Sequence, residues 1–494
     1  MKKYIFFIIV FISYSFIAQD SRIPLDTTVV TTNSVVIKGV TVPYKAKTGM
    51  QPVWDSNGKV VASLYYTYYT RTDVKDNSKR PLIMSFNGGP GSASVWMHIA
   101  YTGPKILKID QEGNPIQPYG IQDNPYSVLD VADIVFINPV NTGYSRPVVE
   151  KDEKVDEKYF FGVNADAKYL ADWLTTFMTR NNRWLSPKYI IGESYGGTRV
   201  MQLANELQNR QWMYLNGVIM VSPADYKIIR SGASEDIAMN LPYYTATAWY
   251  HKMLPADLQQ KDLEEILPEA ELFSYNELLP AIAKGGNISS DERNSIADKM
   301  ARFTGIKKSV LLQQNLEMKP SFFWKELLRD TNGKTIGRLD SRYLGIDREE
   351  IGTSPDYSPE LTSWLHSFTP AMNYYTQNIL NFKTDVKYNM FGPVGNWDFE
   401  NEDARENLRQ AMAQNPYLQV LVQSGYYDGA TTYSVAKYTM GKIDPSGKMK
   451  NRMTFKGYRS GHMMYLRKED LEKSNEDLRI FIKKSSENIG PAKY

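Results

Sequence analysis

The sequence predicts an α/β fold: a mixed, mostly parallel sheet flanked by helices, with a largely helical insertion. Three observations predict it. Short apolar runs at residues 81–86, 132–137, 189–191, 217–221 and 418–422 have the length and content of buried strands. Helical periodicity separates several of them, most clearly at residues 164–180, where Tyr169, Leu170, Trp173, Leu174 and Phe177 share one face. Strands alternating with helices call for a parallel sheet. Between about Asp225 and Pro370 that alternation stops, and helical patterns with charged stretches take over. The expected organisation is therefore a core of residues 19–224 and 371–494, with residues 225–370 as a helical cap over the site.

At 494 residues the chain exceeds one small core, and a charge of +3 with 23% charged residues excludes no soluble globular class. That balance gives no reason to invoke nucleic acid or an anionic membrane surface. There is no cysteine, so disulfides and a lipidated cysteine are out of the question. Lys2 and Lys3 precede an apolar run over residues 4–18, with a cleavable junction at Ala18 and Gln19. This pattern is a signal peptide over residues 1–18, short for a membrane span. An exported protein, periplasmic or secreted, is expected.

Residues 35–37, 40–42 and 62–69 are rich in β-branched and aromatic side chains and should open the sheet as antiparallel strands. Pro43 is expected to end the second, because it cannot donate to a ladder. Asp55, Ser56, Asn57 and Gly58 supply the turn before the third. The strand at 81–86 runs into Asn87-Gly88-Gly89-Pro90-Gly91, a loop able to bring backbone N–H groups close to a ligand. It lacks the spacing of either glycine-rich phosphate motif. In the insertion, Tyr243, Tyr244, Trp249 and Tyr250 fit a packed core better than a cleft. Beyond it come a helix at 401–414, the strand at 418–422, a last strand at 453–455, and a charged helix at 468–484.

Chemistry concentrates at Gly192-Glu193-Ser194-Tyr195-Gly196-Gly197. An apolar strand precedes this Gly-x-Ser-x-Gly pattern and a helical pattern follows it, the context of a nucleophile elbow. The glycines allow a strained turn with close neighbours, and the helix N-terminus favours negative charge developing at Ser194. A serine hydroxyl needs a base, and the base needs an orienting carboxylate. Of four histidines, His98 precedes the serine, while His251 and His366 lie within the insertion. Only His462 sits in a glycine-flanked loop after a late strand, and Asp428 follows the strand before it. Ser194, Asp428 and His462 thus stand in the chain order of the α/β-hydrolase triad. The Tyr195 N–H is one oxyanion donor, and the 87–91 loop should supply the second.

These motifs, together with Asp123-Asn124-Pro125-Tyr126-Ser127 and Asn138-Pro139-Val140-Asn141-Thr142-Gly143-Tyr144-Ser145, resemble the serine carboxypeptidase family over about residues 80–470. The resemblance implies an α/β-hydrolase fold and removal of residues from peptide C-termini, with no cofactor or metal. It implies an oxyanion hole at the amides of Gly89 and Tyr195. It further implies that Asn87, the Gly88 amide and a protonated Glu193 hold the substrate's terminal carboxylate, which favours acidic pH. Two positions depart from the family pattern. Ser85 replaces a tryptophan, and Tyr101 falls, by gapless counting, where many members carry a second glutamate. The Tyr101 phenol could still donate to a carboxylate. The same triad would also serve an esterase or an acyltransferase.

Overall fold

The computed structural model describes residues 23–149, 154–224, 232–399 and 403–487. The segment predicted as a signal peptide and the first residues of the insertion lie outside these. The main sheet contains β1 (Thr27–Ile37), β2 (Val40–Trp54), β3 (Val60–Arg71), β4 (Leu82–Phe86), β5 (Asp133–Ile137), β6 (Lys188–Glu193), β7 (Gly217–Val221), β8 (Gln419–Gly425) and β9 (Met453–Tyr458). Their spatial order is β1-β2-β3-β5-β4-β6-β7-β8-β9, and the short Arg146–Pro147 strand also pairs with β3. The first three strands and the β3–β5 pair are antiparallel. From β5 to β9 every pairing is parallel.

Because side chains alternate across a strand, each parallel strand feeds two cores. Ile83, Ile191, Ile219 and Leu421 pack on one face. Met84, Ile190, Met220 and Val422 pack on the other, against the helix α1 (Val163–Arg180) with its Leu170, Trp173 and Phe177. Each such side chain contributes roughly 1.5–3 kcal/mol by leaving water. Helix α2 (Tyr195–Asn209) follows β6 directly and covers the same face.

The antiparallel strands run longer than their sequence pattern suggested, and Pro43 does not end β2. Pro43 sits opposite Ser34 of β1, and its carbonyl accepts from Thr72 at 3.0 Å on the β3 side. A strand residue's N and O point the same way, so the missing N–H falls where β3 has already finished. Proline is tolerated there because the one bond it cannot make falls at the very end of the β2–β3 ladder.

The insertion is helical from Ser234–Met239 to Arg329–Asn332 and carries one two-stranded piece, Thr335–Ile336 with Leu344–Gly345. It has its own apolar core, in which Tyr243 and Tyr244 are fully buried, while Tyr250 is exposed at the rim. The helix α3 (Pro359–Tyr374) then passes straight through Pro370, and its Trp364, Phe368 and Met372 join the core under the sheet. A limit at residue 370 therefore falls inside a helix. Helices α4 (Ala404–Gln414) and α5 (Lys468–Ser486) complete the layers. Among the described residues no helix is long and apolar enough to cross a membrane.

At the amino ends of the parallel strands, Asp133 is fully buried between two guanidinium groups. It accepts from Arg80 at 2.6 Å and from Arg183 at 2.5 Å, and Arg183 has no exposed surface. Removing one partner of a buried pair leaves a charge uncompensated. Asp133→Ala should lower unfolding free energy by about 3–5 kcal/mol, read from the denaturant midpoint; a change below about 1 kcal/mol would refute the pair's structural role.

Candidate active site

The opposite, carboxyl ends of the strands carry the candidate residues, where ligands bind in open α/β sheets. β4 leads into Asn87, β6 into Ser194, β8 into Asp428 and β9 into His462. Ser194 has φ +59° and ψ −126°, a strained backbone held by Ser194 N–H to Val221 O at 2.9 Å and Gly197 N–H to Ser194 O at 2.8 Å. The turn closes so tightly that a Cβ on Gly192 would lie 2.0 Å from the Gly196 carbonyl oxygen. A Cβ on Gly88 would lie 2.6 Å from the Tyr195 nitrogen, so the glycine loop rests directly on the elbow. Glycine is required at both places by close approach.

His462 Nδ1–H donates to Asp428 Oδ2 at 2.7 Å, which leaves Nε2 for the cavity. Asp428 is fully buried; its Oδ1 accepts from the amides of Ala430 and Thr431 at 2.8 and 3.0 Å. The Thr431 hydroxyl adds a 2.6 Å bond to Oδ2. Three donors besides the imidazole thus fix one carboxylate orientation. Burial opposes a charge on His462, but Asp428 and then Glu193 outweigh it and raise its pKa above the ordinary histidine value.

A strap from the insertion clips the acid and histidine loops together. Gly429 N–H donates to Arg338 O at 3.0 Å, Ser341 N–H to Tyr427 O at 3.0 Å, and His462 N–H to Leu339 O at 2.6 Å. Ser194, His462, Glu193 and the 87–91 loop line one cavity of about 370 Å³. Its apolar wall is made by Trp96, Leu361, Trp364, Phe391 and Met463.

Glu193 is buried and pushed up to about 7, first because burial penalises its charge and then because Asp428 is near. Its Oε1 accepts from Tyr465 at 2.8 Å, and its Oε2 accepts from the Asn87 amide. The pKa is therefore high before any substrate carboxylate arrives.

The structure brings together Ser194, Asp428, His462, Asn87, Gly88, Gly89, Tyr195 and Glu193. It does not bring Tyr101 with them. The short helix Val95–Ala100 ends through a non-helical Ile99, and Tyr101 leaves it with φ −120° and ψ −85°. Its hydroxyl points away to Gln423 Oε1 at 2.7 Å, and its ring stacks behind Tyr465 at 4.8 Å. Tyr465 takes the place beside Glu193, three residues after the histidine, a position that gapless counting from Asn87 could not reach. Ser85 is fully buried within β4, and the cavity's indoles come from Trp96 and Trp364 instead.

Two further residues carried no sequence signal. Arg199, fully buried on α2, donates to the carbonyls of Asn87 and Pro90, the latter at 3.2 Å, and pairs with Asp166 at 2.6 Å. Arg338 lines the cavity from the strap.

Comparison with known proteins agrees with this geometry. The chain is 31% identical over 167 residues to serine carboxypeptidase-like 36 of Arabidopsis thaliana, covering 33% of this chain and 31% of that protein. It is 24% identical over 267 residues to serine carboxypeptidase-like 13 of the same plant, covering 47% and 59%. The chain thus spans about a third of the length of serine carboxypeptidase-like 36 and 37 of that plant. In fold, the chain is similar to Kex1(delta)p, a prohormone-processing carboxypeptidase from Saccharomyces cerevisiae, with TM-score 0.55, 15% identity, and coverage of 90% and 92%. The serine carboxypeptidase family model matches residues 39–468, which span the elbow, the glycine loop and both later loops. With its α/β-hydrolase fold and this match over most of its length, the chain belongs to the serine carboxypeptidase family.

Proposed function

We propose that the protein is a serine-type carboxypeptidase that releases C-terminal residues from peptides through an acyl-enzyme. The observation that carries this reading is Glu193: a buried acid next to the nucleophile, with a pKa pushed up to about 7. A protonated carboxyl can donate to a carboxylate, which an ionised one repels. Asn87 and the Gly88 amide stand beside it on the same wall.

In this mechanism Ser194 Oγ attacks the last peptide carbonyl while His462 Nε2 takes its proton. Asp428 holds the imidazole in the tautomer with Nδ1–H and stabilises the imidazolium. The oxyanion sits between the N–H groups of Gly89 and Tyr195. His462 returns the proton to the leaving amine, and the C-terminal residue departs. Water, deprotonated by the same imidazole, then hydrolyses the acyl-enzyme. The apolar run behind Lys2 and Lys3 supports export, in the periplasm or outside the cell, with cleavage after Ala18. Edman sequencing of the natively made protein should begin at Gln19; a mature cytoplasmic chain starting at Met1 would overturn that location.

A fluorophosphonate probe should label the peptide containing Ser194, and Ser194→Ala should lower kcat by a factor of about 10⁴ or more. Labelling of another residue with Ser194→Ala still active would sink the acyl-enzyme.

The pH dependence separates peptide from ester hydrolysis. Peptide cleavage requires a proton on Glu193 and none on His462, two groups that share a cavity and titrate as a coupled pair. Peptide kcat/KM should fall as pH rises through about 7, as Glu193 in the free enzyme loses its proton. An ester without a free carboxylate should instead rise with pH through a pKa above the ordinary histidine value. Glu193→Gln donates without needing a proton, so it should flatten the alkaline fall for peptides and leave the ester profile in place. Equal changes on both substrates would confine Glu193 to shaping the elbow and favour a general esterase.

A further inference from the structure

One ionisable side chain on the cavity wall has no part in the chemistry above. Arg338 is exposed and lines the cavity beside Glu193 and His462. Among the described residues no carboxylate lies within ion-pair distance of its guanidinium. This is not for want of acids in the neighbourhood. Asp236 and Glu317 line an adjoining cavity that Arg338 also borders, and Asp236 accepts from Gly232 N–H at 2.8 Å and Asn240 Nδ2 at 3.1 Å instead. Four residues on, Arg342 is by contrast paired with Asp340 at 2.7 Å.

Charge on the wall is sparse. The ionisable groups lining the cavity are Glu193, His462 and Arg338. In the form that hydrolyses peptides Glu193 is protonated and His462 neutral, which leaves Arg338 as the one formal charge among them. A guanidinium on the cavity wall with no carboxylate partner among the described residues favours an anion. A guanidinium offers a carboxylate a planar, two-donor fit that a lysine would not.

The side of the cavity can also be assigned. His462 gives its proton to the leaving amine, so the released residue lies on the His462 side. Arg338 stands there too: its carbonyl accepts from Gly429 of the acid loop, and Leu339 O accepts from His462 N–H. With its terminal carboxylate at Asn87, Gly88 and Glu193, the released residue has its side chain free to reach the strap.

We infer that Arg338 is a specificity residue that binds the side-chain carboxylate of the residue released, so that peptides ending in glutamate or aspartate are the favoured substrates. This rests on the carboxypeptidase reading. The test uses N-blocked dipeptides identical except for a C-terminal Glu, Gln or Lys, at pH 6, where a glutamate side chain is ionised. Wild type should favour Glu over Gln by about tenfold in kcat/KM, the effect of one charge-assisted contact. In Arg338→Gln that ratio should fall to about 1, and Arg338→Glu should favour Lys over Glu. A wild-type ratio near 1, or a ratio that survives Arg338→Gln, overturns the inference. So does an equal loss on all three peptides in Arg338→Gln, which would place the guanidinium on the terminal carboxylate. If no peptide releases its last residue while a blocked ester is cleaved, the carboxypeptidase reading itself falls, and the assignment of Arg338 with it.

Discussion

A buried guanidinium fixes the surface on which the reaction is proposed to run. Arg199 stands five residues after Ser194, on the helix that follows it. It reaches under the glycine loop to the carbonyls of Asn87 and Pro90, and its other side is locked by Asp166. The buried Asn87 carbonyl alone would cost about 1–3 kcal/mol without a donor. One side chain therefore satisfies the loop, sets its height above Tyr195, and ties it to the same helix as Ser194. Any oxyanion hole made from one donor of each segment depends on that registration. The absent Cβ atoms at Gly88 and Gly192 permit the approach; Arg199 holds it.

Above this base the two protonation requirements pull against each other. In the proposed reaction Asp428 orients His462, and its charge raises the pKa of both His462 and Glu193. The same field helps Glu193 keep its proton and makes His462 slower to lose one. Glu193 in turn raises His462, while a charged His462 would lower Glu193. Each group's protonation therefore depends on the other's. A substrate carboxylate placed against Glu193 shifts a proton towards the glutamate, since it penalises a second negative charge. Substrate binding would then itself free the imidazole to act as base.

The insertion contributes more than a cover. Its strap makes backbone hydrogen bonds to the loops that carry Asp428 and His462, so the insertion and the candidate site are positioned by shared contacts. A residue such as Leu339 consequently belongs to the geometry of His462 although it lies over a hundred positions away in the chain. Variation in the strap can change what the cavity accepts, as at Arg338, without touching the reacting atoms.

The sequence by itself determined the strands that lead into the site, because a buried parallel strand is built round a short apolar run, and β4, β5, β6, β7 and β8 each contain one. It also determined the elbow and the order of Ser194, Asp428 and His462, since these are local patterns at strand ends. Residues whose roles come from contacts between distant segments were not legible. Tyr101 was misplaced because counting assumes a continuous path, and the backbone turns at Ile99. Tyr465 could not be chosen over it, because a tyrosine beside a histidine loop has no signature until Glu193 is within 2.8 Å. Arg199 and Arg338 belong to no motif in the sequence; burial separates them, one locked beneath the loop and the other open to the cavity. Tertiary structure decided these cases because hydrogen bonding and desolvation depend on which side chains meet in space, and local spacing carries no record of that.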